Sequence, residues 1–131
     1  MTDIRKMLEL AAKAMGRKIP TPRQYPWAWI NDDGIHENIS EDGSRVKTWA
    51  PHTDDGDNSR MRTKLRIDVL WVYAENGDAV GVECSVMRHH GDRFFTMRAR
   101  WIEMLADHNN DPDAALRLCA LRVAAAIGEQ M

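Results

Sequence analysis

The middle of the chain constrains the fold most, because it carries the pattern of a β-meander. Val69 to Ala74 is rich in residues that favour strands, and Ala79 to Met87 alternates apolar side chains with small or polar ones. Asn76-Gly77 lies between these runs and is a strong signal for a tight hairpin turn with positive backbone dihedrals. A second turn at 89–92 leads to a third run, Arg93 to Arg100. The pattern predicts a three-stranded antiparallel meander.

Two segments that precede this meander in the sequence have the signatures of helices. Residues 2–15 repeat apolar side chains at spacings of three and four, with Thr2 as the expected N-cap and Gly16 as the expected end. Residues 54–66 follow Thr53, a suitable N-cap, and begin with aspartates that suit the positive end of a helix dipole. The second helix is largely polar, so we expect it on the surface.

A third helix closes the chain. Asp111-Pro112 is a strong helix start, because aspartate caps well and proline suits the first helical position. Val123 and Ile127 belong to an apolar stripe that should be buried, and Gly128 is the expected end of the helix.

Residues 17–51 are the least regular segment. Three prolines exclude a helix there, and the segments around Trp27–Trp29 and Val46–Trp49 are short enough to be isolated strands. The 131 residues fit one domain, 1–131, and we predict no second unit.

Bulk charge and apolar runs limit the classes of partner. There are 18 basic against 20 acidic residues, a net charge of −2, which argues against a strongly basic nucleic-acid module. No run is long and apolar enough for a transmembrane helix or a signal-peptide core, so we expect a cytoplasmic protein with no membrane partner. Cys84 and Cys119 are expected as reduced, buried side chains, with a disulfide or a metal site as weaker alternatives.

The charge is nevertheless segregated along the chain. Residues 31–58 hold eight acids against Arg45 and Lys47. Basic residues gather on the second helix and the third strand instead, and such a face is able to grip phosphates. The residues that would contact nucleic acid in this reading are Arg60, Arg62, Lys64, Arg66, Arg88, Arg93, Arg98 and Arg100. The simpler interpretation is an ordinary solvated surface, so nucleic-acid binding is the alternative function.

Two polar clusters have residue types that bind metals. Asp54, Asp55 and Asp57 lack the spacing of a calcium loop and are explained by helix capping. The cluster at 89–92 holds two adjacent histidines, which would point to opposite faces of a strand. The sequence has no nucleophile elbow, phosphate-binding glycine loop or dinucleotide fingerprint. We therefore predict no metal, no cofactor and no catalytic residue, and we expect a protein that is not an enzyme.

Five tryptophans in 131 residues leave two interpretations open. Tryptophan is enriched at binding hot spots, but it also fills cores that have few other aromatic residues. We favour the core for most of them, with some contribution to an interface.

Two stretches carry a resemblance to a known group of proteins. Trp49-Ala50-Pro51-His52-Thr53-Asp54 leads into a helix, and Asp111-Pro112-Asp113-Ala114-Ala115 begins an alanine-rich helix that runs to Gly128. With the amphipathic first helix, they resemble small tailed-phage and prophage proteins of the alpha-beta-alpha sandwich type. The resemblance implies that fold and a phage origin, and it implies no catalytic residue.

The fold class predicted is α+β, an antiparallel sheet of three to four strands centred on residues 67–100 and covered by the three helices. The function expected is that of a small phage-encoded accessory protein that binds a host or phage protein. The partner is not identifiable from the sequence, and self-association is compatible with it.

Overall fold

The computed structural model describes residues 3–89 and 95–131, and three α-helices and six strands lie within these ranges. Two short 3-10 helices, Pro22–Gln24 and Leu105–His108, connect some of them. The helices are α1 (Ile4–Ala14), α2 (Asp55–Leu65) and α3 (Pro112–Glu129). The strands are β1 (Ala28–Asn31), β2 (Gly34–Asn38), β3 (Val46–Trp49), β4 (Asp68–Tyr73), β5 (Ala79–His89) and β6 (Phe95–Met104).

The strands form two antiparallel sheets of three strands each. The predicted meander is confirmed as β4-β5-β6, and its third strand extends to Met104. The irregular segment before it folds into the other sheet, β1-β2-β3, with Ile35 paired to Ile30 and to Trp49. Val46–Trp49 is therefore a strand as expected, whereas sequence alone did not indicate that it joins a sheet.

One buried cluster joins the helices to the second sheet. Val82, Cys84 and Val86 project from β5 on one face, and α3 covers them. α1 packs along α3 rather than on the sheet, and α2 also contacts α3. The fold class is confirmed: the chain is an α+β sandwich in which a three-stranded antiparallel sheet is covered by helices. The helices gather on one side of that sheet.

The N-terminal caps differ from the expected ones by one residue. Asp3 caps α1 by accepting a hydrogen bond from the backbone N–H of Lys6, while Thr2 lies outside the described residues. Asp54, not Thr53, caps α2, and its carboxylate accepts from the backbone N–H of Asp57 at 2.8 Å. Thr53 belongs to the turn that precedes the helix, because its N–H bonds the carbonyl of Ala50. Asp111 caps α3 as predicted.

The hairpin turn between β4 and β5 contains Asn76-Gly77, as predicted, but only one of these two residues has a positive φ. The Gly77 N–H donates to the Ala74 carbonyl, and a register shift follows Val72 where Tyr73 pairs with Ala79. Gly77 has a φ of +90° as expected, but Asn76 does not have a positive φ. The register shift after Val72 accommodates a turn of more than two residues. Gly77 alone supplies its left-handed conformation.

Gly128 was expected to end the last helix, and this is wrong. α3 continues to Glu129, and Gly128 lies within it, buried against α1. A Cβ atom at Gly128 would stand 1.9 Å from the carbonyl oxygen of Leu10. This glycine therefore allows two helices to approach closely instead of terminating one. Gly16, by contrast, follows α1 with a φ of +72°, as predicted.

Candidate functional site

The basic residues of α2 are engaged separately within the protein. Arg60 forms an ion pair with Asp57 at 2.7 Å, and Arg62 donates to the side-chain oxygen of Asn58 at 2.8 Å. Lys64 donates to the Met15 carbonyl at 2.6 Å. Arg66 is exposed just after the helix, in the left-handed conformation. Three of the four side chains expected to reach phosphate thus have partners in the chain itself.

The arginines of the second sheet are dispersed as well. Arg100 pairs with Glu83 across the strands, and Arg98 donates to the Gln130 side chain at 3.2 Å. Arg88 is exposed near the end of β5. Arg93, together with the predicted turn from His90 to Asp92, lies outside the described residues. The described members of this basic set that have partners within the chain each contact a different group, and the contact of this set with nucleic acid stays a prediction.

The three aspartates at the start of α2 have structural partners. Asp54 caps the helix, Asp57 accepts from the backbone N–H of Ala50 at 2.9 Å, and Asp55 pairs with Arg117 of α3 at 2.7 Å. Within residues 3–89 and 95–131, no group of three or more histidine, cysteine or acidic side chains is placed to hold a metal ion.

Cys84 and Cys119 are free and buried, as expected for small core side chains. The Cys119 thiol lies within hydrogen-bonding distance of the Val82 carbonyl, at 3.4 Å, and of the Trp101 carbonyl, at 3.3 Å. The contact with Cys119 and burial both raise the pKa of the Cys84 thiol. Cys84 is therefore held in the protonated, unreactive form.

The face of the second sheet that turns away from the helices is apolar. In register, Leu70 lies beside Glu83 and Ile102, while Val72 lies beside Gly81 and Met104. Leu70 is 64% exposed and Met104 is 43% exposed. An antiparallel sheet with one solvated face ordinarily carries polar side chains there. We call this surface the outer face; its apolar members are Leu70, Val72, Met87, Met97, Ile102 and Met104.

Polar side chains interrupt the outer face in two adjacent rows. Asp68, Ser85 and Arg100 are neighbours in register, and Arg100 reaches the carboxylate of Glu83 in the next row. This pair neutralises its own charge and leaves apolar side chains on either side of it. The outer face thus combines apolar side chains with an internal ion pair, Ser85 and the exposed carboxylate of Asp68, and a mixed composition of this kind is found in protein interfaces.

A second surface feature is a cleft of about 790 Å³ between the first sheet and the segment that follows α1. Arg17, Lys18, Arg23 and Lys47 line it, and Glu37 is its one acidic lining residue. In the part of the chain that the structure describes, none of these four cations has a carboxylate within 4.0 Å. We call it the basic cleft. Sequence reasoning missed it because its cations are scattered along residues 17–47, a segment that is acidic in total after residue 31.

The floor of the basic cleft is built from the first sheet. Glu37 and Lys47 are cross-strand neighbours, and Trp49 lies two residues further along on the same face. Trp49 is 5% exposed, and the guanidinium of Arg17 lies over its ring at 4.9 Å. A cation–π contact of this kind fixes the position of the guanidinium. Trp27 stands at the rim and is 59% exposed.

The tryptophans divide between core and surface. Trp49 is buried, Trp29 and Trp71 are half-buried, and Trp27 and Trp101 are largely exposed. Trp101 carries the guanidinium of Arg122 over its ring at 4.7 Å and donates to the buried carboxylate of Glu103. Fewer tryptophans fill the core than the sequence led us to expect. Trp27, at 59% exposed, is accessible to a ligand.

No protein-family model, no curated protein and no solved structure matches this chain. Among the described residues, no helix is both long enough and apolar enough to cross a membrane.

Proposed function

We propose that this chain is a small phage-encoded accessory protein that acts by binding another protein through its outer face. The observation that carries the proposal is the uncovered apolar surface of the second sheet, where Leu70 is 64% and Met97 is 49% exposed. Contiguous apolar surface of this kind costs solubility when it serves no partner, and in proteins it marks interaction sites. The phage origin rests on the resemblance of the helix starts alone, and it places the protein in the host cytoplasm.

The partner of the outer face is a protein rather than a nucleic acid. Its six apolar side chains offer nothing that binds phosphate, and Arg100 is already paired with Glu83. A complementary apolar patch would bury Leu70, Ile102 and Met104 together. Apolar anchors at the centre of a patch commonly supply most of the binding free energy.

The test compares one variant on the outer face with a matched variant elsewhere. Ile102 is 39% exposed on the outer face, and Ile39 is 52% exposed after β2. Tagged wild type, Ile102→Glu and Ile39→Glu are used to capture proteins from cells with and without phage, and bound species are quantified. We expect one stoichiometric partner with wild type and Ile39→Glu, and its loss with Ile102→Glu.

Sedimentation velocity of the same three proteins separates a foreign partner from self-association. A wild-type dimer that Ile102→Glu dissociates would make the partner a second copy. A monomeric wild type that captures nothing, or a partner retained equally by Ile102→Glu, would overturn the proposal. Nucleic-acid binding is the alternative, through the basic residues Arg60, Arg62, Lys64, Arg66, Arg88, Arg93, Arg98 and Arg100. Duplex binding that persists at about 200 mM salt and is lost on neutralising these residues would favour it.

A further inference from the structure

The basic cleft is not explained by protein binding through the outer face. Four cations line it against one carboxylate, a local charge of 4 − 1 = +3 in a chain whose net charge is −2. Like charges placed together without partners cost free energy, and such groupings serve to bind anions. Lys47 faces Glu37 across the strands, so Arg17, Lys18 and Arg23 are the cations left for a ligand.

The position of Arg17 is fixed before any ligand arrives. Its backbone N–H bonds the Ala12 carbonyl at the end of α1, and its guanidinium lies 4.9 Å above the ring of Trp49. A guanidinium held over a ring by this contact remains able to donate two N–H groups to two oxygens of one anion. Arg23 belongs to the 3-10 helix Pro22–Gln24 and also lines the cleft.

Trp27 adds an aromatic surface to these cations. It is 59% exposed at the rim, and in the described part of the chain its ring makes no aromatic contact. An indole exposed beside arginines is the combination with which proteins bind nucleotides, because a base stacks on the ring while the cations meet phosphate. The cleft volume of about 790 Å³ lies in the range of small-ligand sites.

We propose that the basic cleft binds a nucleotide, with its phosphates between Arg17, Lys18 and Arg23 and its base stacked on Trp27. An acidic peptide would satisfy the cations and leave Trp27 without a role. Inorganic phosphate would likewise pair with the cations and leave Trp27 without a role. The ligand chemistry is therefore a phosphate joined to an aromatic base, supplied either by a free nucleotide or by one unit of a single strand.

The experiment is calorimetric titration of the full chain with adenosine 5′-triphosphate, inorganic tripolyphosphate, adenosine and a short single-stranded DNA. We expect the triphosphate to bind at one site about 5- to 150-fold more tightly than tripolyphosphate, because only the nucleotide has a base that stacks on the indole ring. Adenosine alone should bind more weakly than either. Trp27→Ala should reduce the nucleotide affinity to that of tripolyphosphate and leave tripolyphosphate binding unchanged.

Arg23→Gln should weaken the binding of both the nucleoside triphosphate and tripolyphosphate about tenfold, because a charge-assisted hydrogen bond is lost. Two control variants make the same kinds of change outside the cleft. Lys6→Gln removes a cation of α1 whose side chain is 62% exposed, and Tyr73→Ala removes an aromatic ring of β4 that is 62% exposed; both should leave binding unchanged.

Comparing the titrations with the triphosphate and with single-stranded DNA distinguishes a free nucleotide from a single strand as the ligand. Binding of the triphosphate alone supports a free nucleotide. Tighter binding of the single strand, with the same loss in Trp27→Ala and Arg23→Gln, supports a strand. The proposal is overturned if the triphosphate does not bind at millimolar concentration, if tripolyphosphate binds as tightly, or if Trp27→Ala binds the nucleotide normally. None of these results depends on the outer face.

Discussion

Single residues set the spacing of the helices, and Gly128 is the clearest case. Its hydrogen stands where a Cβ atom would meet backbone atoms of Leu10, at 1.9 Å from the carbonyl oxygen. Backbone atoms are not free to swing aside, so a larger residue requires α1 and α3 to separate. We expect Gly128→Ala to lower the free energy of unfolding by about 1–3 kcal/mol, even though alanine favours helices.

Urea denaturation followed by circular dichroism measures this loss, and Gly56→Ala is the control. Gly56 also lies in a helix, α2, but the atoms nearest to its missing Cβ belong to the side chains of Asp54 and Arg60. These side chains are able to move, so Gly56→Ala should leave the midpoint unchanged or raise it. Equal midpoints for wild type and Gly128→Ala would contradict the close approach of the helices.

His36 is a residue whose protonation opposes folding. Its ring stacks on Trp29 at 5.0 Å, and its two nitrogens contact the Thr48 hydroxyl at 2.9 Å and the Asn31 side-chain oxygen at 2.8 Å. Burial lowers the pKa of His36 below its ordinary value, and Asp33 partly offsets the effect. The folded state binds this proton less readily than the unfolded state. The neutral His36 ring therefore contributes stability above about pH 6.5, and this stability is lost as the pH falls below that value.

Proton NMR titration tests this directly. The His36 resonance, assigned by its absence in His36→Gln, should have a midpoint below about 6.5. The unfolding free energy of the wild type should also fall more steeply than that of His36→Gln between about pH 7 and 5, where an ordinary histidine titrates. A His36 midpoint at or above the ordinary value would show that the ring is not shielded from water.

At the scale of elements, one buried amide of α2 joins this helix to two other parts of the chain. Asn58 is 1% exposed, and its Nδ2 donates to the carbonyls of Pro51, at 2.8 Å, and Arg117, at 3.1 Å. Its oxygen accepts from Arg62. We expect Asn58→Ala to lower the unfolding free energy by about 2–4 kcal/mol, because several buried polar groups lose their partners at once. Thr63→Ala, an exposed change on the same helix, should cost little, and similar losses in the two variants would contradict this role.

The β4-β5 hairpin depends on the backbone of Gly77. Its φ of +90° is strained for any other residue, although no atom lies within 4 Å of the missing Cβ. Gly77→Val should therefore destabilise the protein by about 1–2 kcal/mol through backbone strain alone. Glu75→Val, in the same turn without a positive φ, is the control, and thermal melting of the two variants measures the difference. Equal melting temperatures would show that the turn has another conformation.

The sequence predicted those elements whose signals are local. Asp111-Pro112 starts a helix and the alternation of Val82, Cys84 and Val86 makes a strand because neighbouring residues suffice to specify both. The first sheet was missed because its short strands meet only through tertiary pairing, such as Ile35 with Trp49. The basic cleft was missed for the same reason: Arg17 and Lys47 become neighbours only after β2 and β3 are assembled.

At the scale of the whole molecule, α3 holds the core together. Val123 is 1% exposed between the second sheet and α1. Val123→Asp would bury a carboxylate without a partner, so we expect a chain that does not fold cooperatively, as judged by near-ultraviolet circular dichroism and thermal melting. Val46→Asp makes the same change at a position that is 44% exposed and should remain folded. A folded, cooperative Val123→Asp protein would contradict the position of α3.

The pairing of α1 with α3 also has a consequence for how the protein is made. α1 is synthesised before α3, yet its apolar stripe packs on α3, and Lys13 donates to the carbonyl of Met131 at 2.9 Å. Until residues 112–129 are synthesised, that stripe lacks α3, the element with which α1 makes most of its contacts. A nascent amphipathic helix in this state is what holdase chaperones bind. Translation therefore produces an open intermediate, and the core closes only when the last helix is free to reach back to the first.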